Sequence, residues 1–281
     1  MSAGKAVRPG AWPVAIGGVG GSGTRVVAAM LATLGYHIGQ DLNEAGDNLW
    51  FTLLFKHREV LDLPPPAFEA RWRCFAGAME GQPCPLEPET ASGLLGGERA
   101  GQHPEEWLRE RLASLSAASA PEDAAWAWKE PNTHMVVDRL LALHPGLRYV
   151  HVMRNGLDMA LSGNQNQLRL WGPRVLGDAF EDSPRGSLAY WRWAHERILG
   201  LATAHPGRIL VFNYDAMCED PATVLPVLLD FLGVDAAAAT IGALQGLVSA
   251  PGSRGRFRSL PRSTFNREDV DFVHSLGYPV A

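Results

Sequence analysis

The sequence of this 281-residue chain predicts an α/β fold in which helices flank a central, mostly parallel β-sheet. One supporting observation is a short apolar run at residues 14–16 that leads into a glycine-rich loop and an amphipathic helical pattern. Another is the return of alternating strand-like and helix-like patterns from residue 126 onwards. Finally, hydrophobic residues make up 46% of the chain, enough to form a sizeable core.

The first predicted unit consists of a strand, a loop and a helix. Glycines end the apolar run at residues 14–16, as is typical of a short buried strand. Residues 24–34 then place their apolar side chains on one helical face, namely Val26, Val27, Met30, Leu31 and Leu34. Gly35 stands where a glycine commonly ends a helix. This order of elements opens many α/β sheets.

A helical insertion is predicted next, over about residues 40–125. Strand signals are scarce there, whereas residues 49–61 and 104–115 have helical patterns. Two stretches rich in proline and glycine separate the helices, at residues 64–66 and 81–101. We interpret the region as an insertion within a single domain that spans residues 1–281.

The second half of the chain alternates between strands and helices. The predicted strands cover residues 125–128, 149–153 and 208–212. The predicted helices cover residues 133–143, 158–167 and 223–232. Strands that alternate with helices imply a mostly parallel sheet with right-handed crossovers.

Composition and charge narrow the class of function. The net charge of −5 argues against general nucleic-acid binding, which needs a basic surface to neutralise phosphates. No apolar run approaches the ~20 residues of a membrane span, and the N-terminus lacks the pattern of a secretory signal. We therefore expect a cytoplasmic enzyme. Its three cysteines, Cys74, Cys84 and Cys218, lack metal-ligand spacing, so no metal site is expected.

The glycine-rich loop at residues 17–23 predicts a phosphate site. Glycines let the backbone approach an anion closely, and the start of the following helix adds its positive end. Ser22 and Thr24 add hydroxyl donors. The predicted nucleotide contacts in this region are Gly20, Gly21, Ser22, Gly23, Thr24 and Arg25.

Two general nucleotide motifs fit this loop in part. Gly18-x-Gly20-x-x-Gly23 matches the dinucleotide fingerprint of an NAD(P)-linked Rossmann oxidoreductase. That motif needs an acidic residue at the end of a second strand, and no convincing strand precedes Asp41 or Glu44. The Walker A pattern of a P-loop nucleotide kinase is also nearly met, but Thr24 stands where its lysine belongs.

The same loop resembles the 5'-phosphosulfate loop of sulfotransferases, which usually has the sequence (Lys/Arg)-Ser-Gly-Thr-(Thr/Ser). Ser22, Gly23 and Thr24 match that motif. Gly21 departs from it, because the family usually has a basic residue there. Arg25 is a candidate to supply the missing charge.

A longer resemblance covers residues 151–162, HVMRNGLDMALS. It is similar to the sulfotransferase 3'-phosphate motif, a strand followed by Arg-(Asp/Asn)-(Pro/Gly)-x-Asp-x-x-x-Ser. Arg154 would leave the strand end with a forked, permanent charge for a phosphate, and Ser162 would donate from about two turns down the next helix. Asp158 is expected to cap that helix.

Two later segments agree with this resemblance. Residues 209–217, ILVFNYDAM, are similar to the family's late strand and turn, and Tyr214 would approach the adenine. Residues 252–258, GSRGRFR, are similar to its basic loop over the 3'-phosphate, with contacts expected from Arg254, Gly255 and Arg256. The resemblance implies a P-loop NTPase-like fold and a sulfotransferase that uses 3'-phosphoadenosine 5'-phosphosulfate (PAPS) as co-substrate, without a metal.

The resemblance also implies catalytic residues. Charge grows on the leaving oxygen during sulfuryl transfer, so a cation must meet it. Lys129 is the main candidate, with Arg25 as a second cation, because residues 129–131 (KEP) resemble the Lys-Asp-Pro of tyrosylprotein-type sulfotransferases. Those members use a glutamate shortly after the first helix as the base. Glu44 is therefore our first choice and Asp47 our second, with His57 and His134 as alternatives.

The acceptor is expected to lie under the helical insertion. Aromatic side chains in and beyond this region would line an apolar pocket or belong to the core, namely Trp50, Phe51, Phe55, Trp72 and Trp171. An aromatic stripe at helical spacing is more often part of a core. The sequence leaves a sugar, a lipid, a peptide and another small molecule open as acceptors.

Overall fold

The computed structural model describes residues 12–82, 86–96 and 102–281, so Cys84 lies outside the described residues. Four strands form one sheet in this part of the chain. They are β1 (Val14–Gly18), β2 (Ala127–Lys129), β3 (Arg148–Met153) and β4 (Ile209–Asn213). The order across the sheet is β2-β1-β3-β4, and every neighbouring pair is parallel, which confirms the predicted sheet.

Thirteen α-helices accompany the sheet within the described residues. They are α1 (Thr24–Thr33), α2 (Leu49–Phe55), α3 (Pro65–Met79), α4 (Pro88–Leu95), α5 (Glu105–Ser116), α6 (Val137–Leu143), α7 (Gly156–Ala160), α8 (Asn166–Val175), α9 (Pro184–Ala204), α10 (Tyr214–Glu219), α11 (Pro221–Leu232), α12 (Ala238–Gly246) and α13 (Arg267–Ser275). Helices α2 to α5 lie between α1 and β2, in the region that the sequence analysis interprets as an insertion.

The strand order creates a crevice at one edge of the sheet. The connection from β1 leads outward to β2, whereas the connection from the adjacent β3 leads in the opposite direction to β4. The chain segments that follow β1 and β3 therefore separate from each other beyond the strand ends. Open α/β sheets bind their ligands at such switch points.

The two faces of the sheet pack against different helices. Along β1, Val14 and Ile16 face a cluster that includes residues of α1 and α11. Ala15 faces the opposite side, where the aromatic residues of the insertion pack with β2 and β3. This alternation is the two-residue period of a strand buried on both faces. It anchors the loop after β1 to a rigid core.

Several predicted boundaries are wrong, each for a local reason. The predicted helix 49–61 is α2 followed by a short 3-10 helix, because His57 between them is extended. Pro65 and Pro66, from a stretch predicted to separate helices, form the first turn of α3, where proline is favourable. The predicted helix 133–143 begins as a 3-10 turn at Pro131–Met135. The predicted helix 158–167 is two helices, α7 and α8, with a turn between them.

The longest helix of the described residues, α9, escaped the sequence analysis. It has 21 residues, and the Ser183 side chain caps its first turn by accepting a hydrogen bond from the Gly186 amide. It packs against α7, α8, α13 and β4. At the start of α7, Gly156 leaves room for the Trp191 ring of this helix. Helix α9 thus packs against the segment that follows β3.

Candidate functional site

The loop between β1 and α1 has the backbone that its glycines predict. Gly21 and Gly23 have φ angles of 91° and 102°, in the left-handed region that favours glycine. A Cβ atom on Gly23 would lie 2.6 Å from the Tyr214 ring. Helix α1 begins at Thr24 directly after this loop, without an acidic residue in its first turn. Its first amide groups therefore offer an uncompensated positive end.

The hydroxyl groups of this loop differ in their surroundings. The Ser22 side chain is 1% exposed, and its Oγ has no hydrogen-bond partner among the described residues. Thr24 is also buried, whereas Arg25 is exposed on the first turn of α1. A buried hydroxyl without a partner is costly unless a ligand satisfies it. The chemistry of this loop therefore fits an anion.

Gln167 holds the loop in place, which the sequence analysis missed. Its Oε1 accepts a hydrogen bond from the Gly20 amide at 2.9 Å, and its Nε2 donates to the Gly18 carbonyl at 3.2 Å. Gln167 belongs to the amide-rich run NQNQ at residues 164–167, which was its only sequence signal. Because Gly20 donates to Gln167, this amide is not free to meet a ligand.

Lys129 and Asp47 form an ion pair beside the loop. Lys129 is the last residue of β2, next to β1, and only 2% of its side chain is exposed. Its Nζ donates to Asp47 Oδ1. The turn that carries Asp47 is closed by Asn43, whose Oδ1 accepts from the Asp47 amide at 2.8 Å. Glu44 lies in the same turn but is exposed and forms none of the ion pairs found among the described residues.

The two histidines proposed as alternative bases lie elsewhere. His57 is buried against the Arg71 guanidinium. His134 is buried against the Tyr190 hydroxyl at 2.8 Å, and burial lowers its pKa to about 3. Neither histidine bonds to Lys129 or Asp47. Of the four candidate bases, the structure brings only Asp47 to Lys129.

Arg154 connects three parts of the chain at the end of β3. It is 4% exposed, and its Nη1 approaches the Gly21 carbonyl at 3.4 Å. Its Nη2 donates to Ser253 Oγ at 2.9 Å, and its Nε lies 3.8 Å from Asp215. One guanidinium thus contacts the glycine loop, the basic loop and the turn after β4.

The prediction that Ser162 lies about two turns down the helix that follows Arg154 is wrong. Helix α7 ends at Ala160, and Ser162 lies in the following turn, where its Oγ accepts from the Asn164 amide at 3.3 Å. The predicted capping role of Asp158 is also wrong, because the Asn155 side chain caps α7. Asp158 instead accepts from the Gly255 amide at 2.8 Å, which ties the basic loop to α7.

The basic loop brings two more arginines to the same region. Arg254 lies 3.4 Å from Asp215 and also pairs with Glu219. Arg256 donates from Nε to the Asp158 carbonyl at 2.6 Å. Burial raises the pKa of Asp215. Its carboxyl group lies 3.8 Å from Arg154 Nε and 3.4 Å from Arg254 Nε.

Tyr214 closes the glycine loop from the side of β4. Its ring packs over Gly23, and its hydroxyl donates to the Ser249 carbonyl at 3.2 Å. Burial raises the pKa of this phenol to about 12, so it stays protonated. The tyrosine therefore offers a ring face and a rigid support.

A family model described as "Sulfotransferase family" matches residues 13–238, which includes the glycine loop, Lys129 and Arg154. This chain belongs to the sulfotransferase family. Sulfotransferases transfer sulfuryl groups, so the predicted family, enzyme class and reaction are confirmed. The match favours this interpretation over the oxidoreductase and the nucleotide kinase, and neither Asp41 nor Glu44 follows a strand of the described sheet.

One solved structure shares the fold of this sulfotransferase, and a second is similar to it. The sulfotransferase domain of the Synechococcus PCC 7002 olefin synthase is 20% identical, with a TM-score of 0.51, and the match covers 96% of each chain. The sulfotransferase domain from the curacin biosynthetic pathway is 15% identical, with a TM-score of 0.48 and coverage of 98% of this chain and 99% of that one. No curated protein matches the sequence.

The part of the chain that the structure describes contains neither a metal-binding cluster nor a membrane-spanning helix. No group of three or more histidine, cysteine, aspartate or glutamate side chains is arranged to hold a metal ion. None of the helices in that part combines the length and the apolar character that crossing a membrane requires.

The aromatic residues considered for an acceptor pocket belong to the core of the sulfotransferase. They are all buried, at 0% to 5% exposure: Trp50, Phe51, Phe55, Trp72 and Trp171. Most of these rings pack on one another or on Trp128, as in the stacked pair Phe51–Trp128 at 5.5 Å between centroids. The indole of Trp171 donates to Asn132 Oδ1 at 2.7 Å. These rings therefore belong to the core and do not form an open apolar pocket.

Proposed function

We propose that this sulfotransferase uses PAPS as its sulfuryl donor and binds it across the crevice between the ends of β1 and β3. The position of Arg154 is the observation that best supports this proposal. It is buried and contacts both the glycine loop and the basic loop, which lie more than one hundred residues apart in sequence. A ligand with phosphates at both ends of a nucleoside would use these separate groups together.

The 5' end of the donor would lie on the glycine loop. The amides at the start of α1, the buried Ser22 hydroxyl and Thr24 are the donors available to it. Gly21 lacks the basic side chain that the sulfotransferase motif usually has at this position. The Arg154 guanidinium approaches the Gly21 carbonyl at 3.4 Å, so it brings a positive charge to the same position from the end of β3. Arg25, by contrast, is exposed on the first turn of α1.

The 3'-phosphate would bind next to Arg154 and the basic loop. Arg154, Arg254 and Arg256 supply the positive charge, Gly255 fixes their loop to Asp158, and Ser162 supplies a hydroxyl from the turn after α7. Asp215 lies between Arg154 and Arg254 and holds them near each other before the nucleotide arrives. Tyr214 would support the nucleoside next to Gly23.

Lys129 and Asp47 would perform the chemistry. An acceptor hydroxyl gives its proton to the Asp47 carboxylate while its oxygen forms a bond to sulfur. The bond from sulfur to the bridging oxygen breaks, and that oxygen leaves with the electron pair on 3',5'-adenosine bisphosphate (PAP). The Lys129 ammonium stabilises the charge on the leaving oxygen. Their ion pair supports this assignment because it holds base and cation side by side.

Calorimetric titration with PAP tests the proposed donor, with NADH and ATP–Mg²⁺ as controls. Micromolar binding of PAP, with at least tenfold weaker binding of both controls, is the expected result. The proposal fails if PAP does not bind while either control does. PAP binds without a sulfuryl group, so this measurement does not depend on knowing the acceptor.

A further inference from the structure

A polar cavity lies beside the glycine loop, on the side that faces the insertion. It has a volume of about 260 Å³ and is bounded by Val19 and Gly20, by residues 130–132 after β2, and by residues 164–168 at the start of α8. Most of its lining side chains are amides or charged groups. They include Asn43, Asp47, Lys56, Glu130, Asn132 and Asn166.

The charges in this cavity are balanced within the protein. Lys56 Nζ lies 3.3 Å from Glu130 Oε1, and Lys129 pairs with Asp47. Each cation beside the cavity therefore already has a carboxylate partner. A charged acceptor would have to compete with these internal pairs, whereas a neutral acceptor leaves them intact. The cavity thus favours a ligand that is polar without net charge.

Tyr190, one of the residues that line the cavity, has a phenol held in one orientation. His134 Nδ1 lies 2.8 Å from the Pro131 carbonyl, which can only accept, so the imidazole proton is on Nδ1. Because burial keeps this histidine neutral, with its pKa lowered to about 3, its Nε2 must accept. The Tyr190 hydroxyl, 2.8 Å away, therefore donates to Nε2 and keeps a lone pair for a partner that donates. A ligand hydroxyl is such a partner.

We propose that the acceptor is a neutral, polyhydroxylated molecule of the carbohydrate type, with one hydroxyl at Asp47 and neighbouring hydroxyls bonded to Tyr190 and to the amides of the cavity. Hydroxyl groups both donate and accept, so they match a wall of mixed amides and carboxylates, whereas an apolar acceptor would displace water from these polar groups without replacing its hydrogen bonds. This inference rests on the proposed function. The acceptor oxygen bonds to sulfur, its proton passes to Asp47, and PAP leaves with the electrons of the broken sulfur–oxygen bond.

A pair of matched alcohols tests this proposal. Methyl glucopyranoside and cyclohexylmethanol carry the same primary hydroxyl on a six-membered ring, but only the first carries further hydroxyls. We would measure kcat/KM for both with PAPS, by mass spectrometry of the sulfated product, together with a panel of neutral mono- and disaccharides. We expect the best sugar to exceed cyclohexylmethanol by at least tenfold. Equal or faster transfer to cyclohexylmethanol overturns the proposal.

Tyr190→Phe and Tyr149→Phe form a matched pair of variants. Both remove a buried phenol from the same packed region, but only Tyr190 lines the cavity. Tyr190→Phe should raise KM for the sugar by about five- to tenfold with a smaller effect on kcat. Tyr149→Phe should leave this KM within twofold. Equal effects of the two variants would contradict the assignment of Tyr190.

Titration of PAP in the same preparation separates the two proposals. Absence of PAP binding defeats the proposed donor. PAP binding without sulfation of any neutral sugar, or with sulfation of apolar alcohols or phenols alone, defeats the acceptor inference and leaves the donor in place.

Discussion

Arg154 is the residue on which the proposed nucleotide site depends most. Its guanidinium contacts Gly21, Ser253 and Asp215, each from a different part of the chain. Its Nε has no hydrogen-bond partner among the described residues. A buried, permanently charged group with a remaining donor is well suited to bind a phosphate.

Arg154→Ala should weaken PAP binding by about 2–4 kcal/mol, roughly 30- to 1000-fold in Kd, because a buried charge contact is lost. Calorimetry gives the Kd, and thermal unfolding shows whether the variant is folded. Arg192→Ala is the matched control, since Arg192 of α9 forms its ion pairs with Glu196, Glu268 and Asp269, none of which belongs to the proposed site. An unchanged Kd for Arg154→Ala would remove this arginine from the site.

At this scale the sequence predicts residues whose type carries the chemistry. Ser22, Lys129 and Arg154 could be named because hydroxyl, ammonium and guanidinium groups stand in a recognisable order along the chain. The sequence analysis ranked Glu44 before Asp47, whereas only Asp47 pairs with Lys129. The sequence gives no basis for ranking two carboxylates that lie three residues apart in one turn. Gln167 could not be named either, since its role depends on where the chain folds back onto the glycine loop.

At the scale of elements, the glycine loop and Tyr214 form one packed unit. Gly23 combines a left-handed backbone with contact to the Tyr214 ring, so both the conformation and the space exclude a side chain. The loop that would hold the 5' end of the donor is thereby fixed by the turn after β4.

Gly23→Ala should lower the free energy of unfolding by about 1–3 kcal/mol and weaken PAP binding at least tenfold, because the loop must shift. Gly200→Ala in the exposed part of α9 is the control, since a Cβ there meets nothing within 4 Å. That substitution should be neutral or stabilise by up to about 1 kcal/mol. Urea unfolding and PAP titration of both variants check this, and equal stability would contradict the packing described.

Helix α9 covers a group of buried histidines beneath the sheet. His151 of β3 and His195 of α9 have ring centroids 4.9 Å apart, and His134 contacts Tyr190 of the same helix. Burial lowers the pKa of His134 to about 3, of His195 to about 4, and of His151 well below its usual value. All three are neutral in the folded protein near pH 6.

These histidines should make the fold acid-sensitive. The unfolded chain takes up their protons near pH 6.5, whereas the folded chain excludes them, so stability is present above pH 6.5 and is lost as pH falls. Between pH 6.5 and 5.5 each histidine contributes a loss of about 1 kcal/mol, or about 3 kcal/mol together. Urea unfolding at both pH values measures this. His195→Gln should reduce the loss by about one third, and an unchanged loss would refute the explanation.

The elements were predictable where a single local pattern determines them. All four strands were found because each is a short apolar run with clear ends. The break between α7 and α8 was missed because residues 158–167 keep a helical pattern while Gln165 turns back to accept from Ser187 and to donate to the Ser162 carbonyl. The bond from Ser187 of α9 to Gln165 has no signal in the local sequence.

At the scale of the whole molecule, the strand order explains why distant motifs meet. The glycine loop follows β1, Lys129 ends β2, Arg154 follows β3 and Tyr214 follows β4. Parallel strands bring all these positions to one edge of the sheet, and the turn before α2 brings Asp47 to Lys129 there. The proposed donor and acceptor sites therefore adjoin at the Lys129–Asp47 pair.

The most direct test of this account is the turnover of Lys129→Met. Wild-type enzyme and variant would be incubated with PAPS and a mixture of sugars, alcohols and phenols, and PAP and sulfated products would be quantified by mass spectrometry. We predict one PAP for each sulfated product in the wild type. We also predict a loss of about 10²- to 10³-fold in kcat for the variant, with the Kd for PAP changed by less than about threefold. Unchanged turnover, or a loss explained entirely by weaker PAP binding, would contradict the central role of Lys129 in sulfuryl transfer.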